Sequence, residues 1–336
     1  METRLLAPDE EGIAAAADVI RRRETVAFPT ETVYGLGADA FSARAVARVF
    51  AAKERPRFDP VIVHVASPEA VGSLWTSVSP LARTLIERFW PGPLTLVLPR
   101  RKRVPGIVTA GLPTVAVRMP DHPVALALIR AAERPIAAPS ANRFGRVSPT
   151  HHDAVVDQLG GRIGAILAGG TTPVGIESTV VSLVDDPPLV LRPGGVPLEA
   201  LREIVPGLRM GPVAGPLASP GTLPRHYVPA TPLLLLERGP APDGSEPLDR
   251  LACGFLAFQE EWSGFERVEV LSPRGDLVEA GAGLFAALDR LDRAGLAAIV
   301  AEPVPEEGLG VAIMDRLRRA ASGRAYVGQD AVWWVR

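Results

Sequence analysis

The chain has a single cysteine, Cys253, among 336 residues. It can form no internal disulfide and no cysteine-based metal cluster. Lysine is nearly missing too: of 36 basic residues only Lys53 and Lys102 are lysines. Aromatic residues reach only 5%, which leaves little surface for stacking bases. Neither charge sign dominates, since 36 basic against 38 acidic residues give −2. Domains whose main task is to grip nucleic-acid backbone carry a strong basic surplus. The longest apolar runs, such as TPLLLLE, fall far short of the roughly 18 residues that span a bilayer. The first residues, METRLLAPDEEG, show no basic segment followed by a long apolar one. No secretory signal is read there, and the expected compartment is the cytoplasm.

What is present suits a globular chain, with 47% hydrophobic and 22% charged residues. The length favours one large or two ordinary domains. Glycine and proline together number 66, so turns are many and elements short. Apolar spacing predicts helices over 10–23, 42–52, 80–90, 122–132, 151–159 and 197–204. Strands are expected at 25–30, 61–65, 94–99, 114–120, 135–140, 165–170, 179–185 and 189–194. Ser148-Pro149-Thr150 reads as a helix cap or turn before 151–159. Strict βα alternation is absent, so a mixed or curved sheet is expected. The segment 206–224 holds five prolines and four glycines and reads as a linker or covering loop without regular structure. Beyond it, strands at 231–237, 254–258, 267–271 and 297–304 alternate with helices at 276–294 and 310–322, a second, smaller α/β domain. The expected division is 1–205, 206–229 and 230–336.

Standard signatures are missing: no GxxxxGK[ST], no GxGxxG after a strand, no HExxH and no GxSxG. Polar residues instead gather in Gly/Pro-rich turns at strand ends. PTETVYGLG offers Thr30, Glu31, Thr32 and Tyr34. KERPRFDP offers Lys53, Arg55, Arg57 and Asp59, ahead of a strand carrying His64. Arg118 ends the next strand. PSANRFGRVSPT supplies Ser140, Asn142, Ser148 and Thr150, and GIESTVV and LRPGG add Ser178, Thr179 and Arg192. Cations, hydroxyls and glycines converging at strand ends suit a phosphate-rich anion. The same residues also serve as solvated turns, helix caps, ion pairs or a core histidine, and residue types alone leave both readings open. RRKR at 100–103 is a basic surface turn or an RNA contact. His151 and His152 read as surface residues, and Cys253 as a small buried hydrophobe.

Taken in order, FPTETVYGLGADA, KERPRFDPVIVHV, WPGPLTLVL, VAVRMPDHP, PSANRFGRVSPT, GIESTVVSL and LRPGG resemble the YrdC/Sua5 family over about residues 10–205. PGTLPRHYVP and the size of 230–336 are similar to the linker and extra domain of its longer members. The resemblance implies a YrdC-like twisted mixed α/β sheet with a large, positively lined concave site, plus a small Rossmann-like C-terminal α/β domain. It implies the synthesis of threonylcarbamoyl-AMP, pyrophosphate and water from L-threonine, bicarbonate or CO2, and ATP. A tRNA threonylcarbamoyl transferase complex would then modify an adenosine of tRNAs reading codons that begin with A, and weak tRNA contact is included in that expectation. By motif match Lys53 and Arg55 are the catalytic pair. Lys53, Arg55, Asp59, Thr114, Ser140, Asn142, Ser148, Arg192 and Tyr227 fall on the ATP side. Thr32, His64, Arg118, Ala138 (through its backbone) and Ser178 fall on the threonine and bicarbonate side. Mg²⁺ would arrive with ATP, with no protein cage and no tightly bound organic cofactor. The sequence departs from the family pattern at Asp59, where Asn is common, at Ala168, where Asp is common, and in the linker, which lacks the usual Met and a nearby Lys. Two other readings are an RNA-binding module, opposed by the net charge, and a carbamoyl-phosphate-using transferase, opposed by the single cysteine.

Overall fold

The computed structural model describes residues 2–56, 58–211, 226–328 and 331–335. The chain divides into two compact units, one of Met1–Phe144 and Ser148–Leu223, the other of Gly145–Val147 and Pro224–Arg336.

Among the described residues the first unit holds eleven strands. They are β1 (Arg4–Leu6), β2 (Val26–Phe28), β3 (Gly35–Asp39), β4 (Val63–His64), β5 (Leu94–Pro99), β6 (Thr114–Arg118), β7 (Ile136–Ala137), β8 (Ala165–Leu167), β9 (Thr179–Ser182), β10 (Leu189–Arg192) and β11 (Arg209–Met210). They form one mixed sheet in the order β1-β8-β2-β3-β7-β4-β6-β5-β9-β10-β11. Its helices are α1 (Glu10–Arg21), α2 (Ala43–Lys53), α3 (Pro80–Phe89), α4 (Pro123–Ala132), α5 (His152–Leu159) and α6 (Leu198–Ile204). Local chemistry sets their ends. Asp9 caps α1 by accepting from the Gly12 amide at 2.8 Å. Ser79 caps α3, with Pro80 in its first turn. A left-handed Glu54 stops α2 directly after Lys53. The core lies between helices and sheet: Ala16, Ala17 and Ile20 of α1 and Leu128 of α4 pack with Phe28 and Leu167.

In the second unit β12 (Leu233–Leu236), β14 (Cys253–Ala257), β15 (Arg267–Val270), β16 (Ala298–Ala301) and β17 (Gly323–Val327) run parallel. Antiparallel β18 (Ala331–Val335) and β13 (Glu246–Asp249) follow at one edge. Helices α7 (Leu277–Asp292) and α8 (Gly310–Ala320) complete it. Cys253 is buried, as expected.

Three expectations are corrected. The proline-rich segment is not wholly irregular, because β11 pairs with Leu189 and Val190 of β10; residues 212–225 of the expected linker lie outside the described set. Ser148 and Thr150 do not cap α5: His151 does, its Nδ1 accepting from the Asp153 amide at 3.3 Å. The expected strand 61–65 shrinks to Val63–His64, since Val61 bonds to the Val108 carbonyl instead.

Strand register brings residues far apart in the chain level with one another. His64 stands opposite Arg118 in the parallel pair β4–β6. Leu96 stands opposite Val117 in β5–β6, so Thr95 comes level with Arg118. Alternation along β6 puts Thr114 and Arg118 on one face. Close packing also constrains β3. A Cβ on Gly37 would stand 2.5 Å from Ile136 Cγ2 and 2.7 Å from Phe28 Cε1. Gly37→Ala should therefore lose about 1–3 kcal/mol of stability by overpacking, seen as a lower urea midpoint with an unchanged slope.

Candidate active site

The polar residues picked from the sequence assemble into three neighbouring groups in the first unit. The first is built on the end of α2. Lys53 is 1% exposed, and its ammonium donates to the Ser140 carbonyl at 2.6 Å, the Asn142 carbonyl at 2.5 Å and Asn142 Oδ1 at 3.3 Å. Ser140 Oγ donates to the same Oδ1 at 2.5 Å. Arg55 donates to the Asp59 and Pro60 carbonyls at 3.3 and 2.8 Å. It also pairs with the fully buried Asp59 carboxylate at 2.8 Å. Burial pushes the Lys53 amine well below its ordinary range, and the charge of Arg55 adds to this, while Asp59 opposes it. Burial likewise pushes the Asp59 carboxyl up, against the pull of Arg55, Lys53 and Arg192.

The second group sits on β4, β6 and the turn after β2. Buried Arg118 donates to Thr32 Oγ1 at 2.9 Å and to the Glu31 carboxylate. Thr30 and Thr32 hydroxyls lie 2.8 Å apart. Glu31 Oε1 and Arg118 Nε are buried with no hydrogen-bond partner among the described residues. His64 is buried beside Arg118, edge-on to Phe28 at 6.1 Å. Burial, helped by the Arg118 charge, pushes its pKa down to about 3, so this imidazole stays neutral. Ala138, just past β7, is buried, its amide bonded to the Ile62 carbonyl at 2.9 Å.

The third group closes the far side. Arg192 donates to the Ser178 carbonyl at 2.9 Å and to its hydroxyl at 3.4 Å. Ser178 Oγ lies 2.8 Å from Thr95 Oγ1, and Ser148 donates to Glu177 at 2.6 Å. A Cβ on Gly194 would meet the Glu177 and Ser178 backbone at 2.3 Å, so only glycine lets LRPGG approach this turn. Arg192 belongs to the first group as well, through its effect on Asp59. Between the groups, Ile62, Val97, Ala116, Val180 and Leu191 form an apolar floor.

Two expected members are not part of these three groups. Thr114 opens β6 at the end remote from Arg118, opposite Pro99. Tyr227 lies in the second unit, fully buried, stacked on Phe285 at 5.4 Å with the Arg316 guanidinium 5.5 Å from its ring. Sequence reasoning passed over Thr95 and the acids Glu31 and Glu177 as partners; a lone threonine in the apolar run LTLVL was the available signal for the first. In RRKR, Arg100 is tied to the Leu112 and Val104 carbonyls at 2.9 Å, and Arg103 stacks on Phe41 at 4.0 Å. Among the described residues one His/Cys/Asp/Glu cluster has metal-like spacing, His151, His152 and Asp153. It lies on the first turn of α5, whose dipole disfavours cations.

The three groups thus bring together a cationic cluster, a paired Arg and Glu, and several hydroxyls, next to a buried apolar cluster. The Sua5/YciO/YrdC family model, described as telomere recombination, matches residues 18–194. A second, described as threonylcarbamoyl-AMP synthase, C-terminal domain, matches 196–322. The chain belongs to the Sua5/YciO/YrdC family. It is 45% identical to the threonylcarbamoyl-AMP synthase of Pyrococcus abyssi over 94% of this chain and 96% of that one. Against the synthase of Bacillus subtilis it is 42% identical over 95% of each. The crystal structure of P. abyssi Sua5 complexed with L-threonine superposes with a TM-score of 0.86 at 40% identity, covering 98% of this chain and all of that one.

The His64 environment fixes a pH response. Its folded pKa of about 3 lies below the ordinary value of 6.5, so between these values the unfolded chain binds the extra proton and stability falls as pH falls. His64→Gln should lose less of its urea stability between pH 7 and pH 4 than the wild type. An equal loss in both proteins would place the acid sensitivity elsewhere.

Proposed function

We infer that the chain is a threonylcarbamoyl-AMP synthase, joining L-threonine, bicarbonate or CO2, and ATP. The observation that carries this is a buried cation cluster, Lys53, Arg55 and Arg192, linked through Ser178 and Thr95 to the strand that bears the pair Arg118–Glu31. The first suits a triphosphate. The second suits an amino acid, whose carboxylate needs a cation and whose ammonium needs an acceptor. Both groups of the pair keep an unpartnered atom, Arg118 Nε and Glu31 Oε1.

The chemistry asks for positioning and charge neutralisation, and no protein nucleophile. The threonine ammonium gives a proton to bicarbonate, which breaks down to CO2 and water; the free amine then adds to CO2 and releases its second proton to solvent as the carbamate forms. The resulting carbamate oxygen attacks the α-phosphorus, forming the new P–O bond as the bond to the β-phosphate breaks and pyrophosphate leaves. Arg118, Thr32 and Ser178 hold threonine, and neutral His64 adds no competing charge beside Arg118. The Ala138 backbone borders the carbamate. Lys53, Arg55, Ser140, Asn142, Ser148, Arg192 and Asp59 cradle the nucleotide, with Thr114 as an outlying contact. Holding reactants in line supplies several kcal/mol, on the order of 7–11 at best, and fixed cations stabilise charge that develops on pyrophosphate. Mg²⁺ fits this donor set, which offers a buried carboxylate beside the expected phosphates. When bound, it would neutralise phosphate charge.

The product is handed to a tRNA threonylcarbamoyl transferase complex, with at most weak tRNA contact by this chain. A cytoplasmic setting accords with the single cysteine; among the described residues no helix is long and apolar enough to cross a membrane.

Pyrophosphate release by the purified protein with Mg²⁺ should require ATP, L-threonine and bicarbonate together. Release independent of threonine would overturn the reading. Arg118→Lys keeps the charge but loses the fork. It should raise the threonine KM roughly 10-fold or more while changing the ATP KM little. An equal rise in both would detach Arg118 from threonine.

A further inference from the structure

Asp59 is the one fully buried carboxylate of the site. Oδ2 forms an ion pair with Arg55 at 2.8 Å, and both carboxylate oxygens are buried without a hydrogen-bond partner among the described residues. Lys53 does not fill that gap, because its ammonium is directed at the oxygens of Ser140 and Asn142. A buried charge with unused acceptor capacity is costly unless another partner arrives.

Nucleotide binding sharpens the problem. Arg55 is the cation that would turn to the phosphates. Once it does, Asp59 loses its partner just as a polyanion enters beside it. Two anionic oxygens held side by side need a cation between them. Arg192 acts on Asp59 through its charge but makes no hydrogen bond to Oδ1, and a full proton would leave the phosphate charge uncompensated. A hard divalent cation fits better, since Mg²⁺ is commonly held by one or two carboxylates together with substrate phosphates and water.

We propose that Asp59, through Oδ1, is a direct protein ligand of the divalent cation that accompanies the nucleotide. Arg55 and the cation thereby alternate on this carboxylate, the guanidinium before nucleotide binds and the metal afterwards. This rests on the ATP reading of the site, and it turns a resident counter-ion into a metal-dependent checkpoint for the nucleotide.

The test is calorimetric binding of α,β-methylene-ATP, which cannot release pyrophosphate, with Mg²⁺ and with EDTA, to the full-length wild type and Asp59→Asn. In the wild type Mg²⁺ should tighten binding at least about tenfold, a factor typical even of outer-shell partners of a metal. Asp59→Asn should lose most of that gain and bind the metal-free analogue as well as the wild type or better, because a repelling charge is gone. In electron paramagnetic resonance, the Mn²⁺–analogue complex should give different spectra on the two proteins. If the variant tightens both forms equally, or keeps the full Mg²⁺ gain, Asp59 is a counter-ion of Arg55 only and the proposal fails. Should Asp59→Asn not fold, Asp59→Ser reads the same comparison. A wild type that binds the analogue under neither condition would overturn the ATP reading itself, an outcome separate from failure of the metal assignment.

Discussion

The site hangs on the burial of one ammonium group. Taking a lysine charge out of water costs several kcal/mol unless it is closely surrounded by acceptors. Lys53 meets that demand with three oxygens of Ser140 and Asn142. The end of α2 is thereby fastened to the loop after β7. That loop is in turn joined to the turn after β2, through the Ala141 amide on the Tyr34 carbonyl at 2.7 Å and a bridge between Gly35 and Ser140. The same turn presents Glu31 and Thr32 to Arg118. Fixing Lys53 thus fixes, link by link, the parts of the site that do not touch it.

The sheet separates two electrostatic tasks. Around Arg55, three cations face one carboxylate, which leaves an excess of positive charge for a polyanion. Around Arg118 the charges are balanced by Glu31, and the adjoining histidine is kept neutral by burial. Burial of Lys53, Arg55, Arg118 and Arg192 themselves limits screening by water, so each acts at closer to full strength. A reaction between a polyanion and a zwitterion needs both environments within reach of one another. A curved mixed sheet, with strand ends of opposite direction brought together, provides that where a strictly parallel sheet would not.

Much of this was legible in the residue order, for physical reasons. Polar residues in glycine- and proline-rich turns beside apolar strands stand out because burying them without partners would be costly. Lys53, Arg55, Asn142, Arg118 and Ser178 were found that way, with the order of motifs assigning them. Their partners were not visible. The Glu31–Arg118 and Ser148–Glu177 contacts join residues 87 and 29 positions apart, a separation that only the folded sheet sets. Thr95 looked like an ordinary strand residue. His151 was missed as a cap because its ring nitrogen takes a place usually given to Ser or Asp. Strands β13, β17 and β18 were not read from the sequence, since EPLD and GRAYV mix polar and apolar residues without a continuous apolar run and AVWWV lacks a flanking pair of turn signals.

The two lysines differ in more than position. Lys102 is exposed on a turn, whereas Lys53 is shielded on every side and has its nitrogen protons committed. An amine-directed label, such as an activated ester carrying a fluorophore, would find Lys102 and the chain's α-amino group and leave Lys53 untouched in the folded protein. A composition poor in lysine, joined to the burial of one of the pair, thus confines the labelling of lysine side chains to Lys102, with the attachment point on the surface and the Lys53 cluster undisturbed.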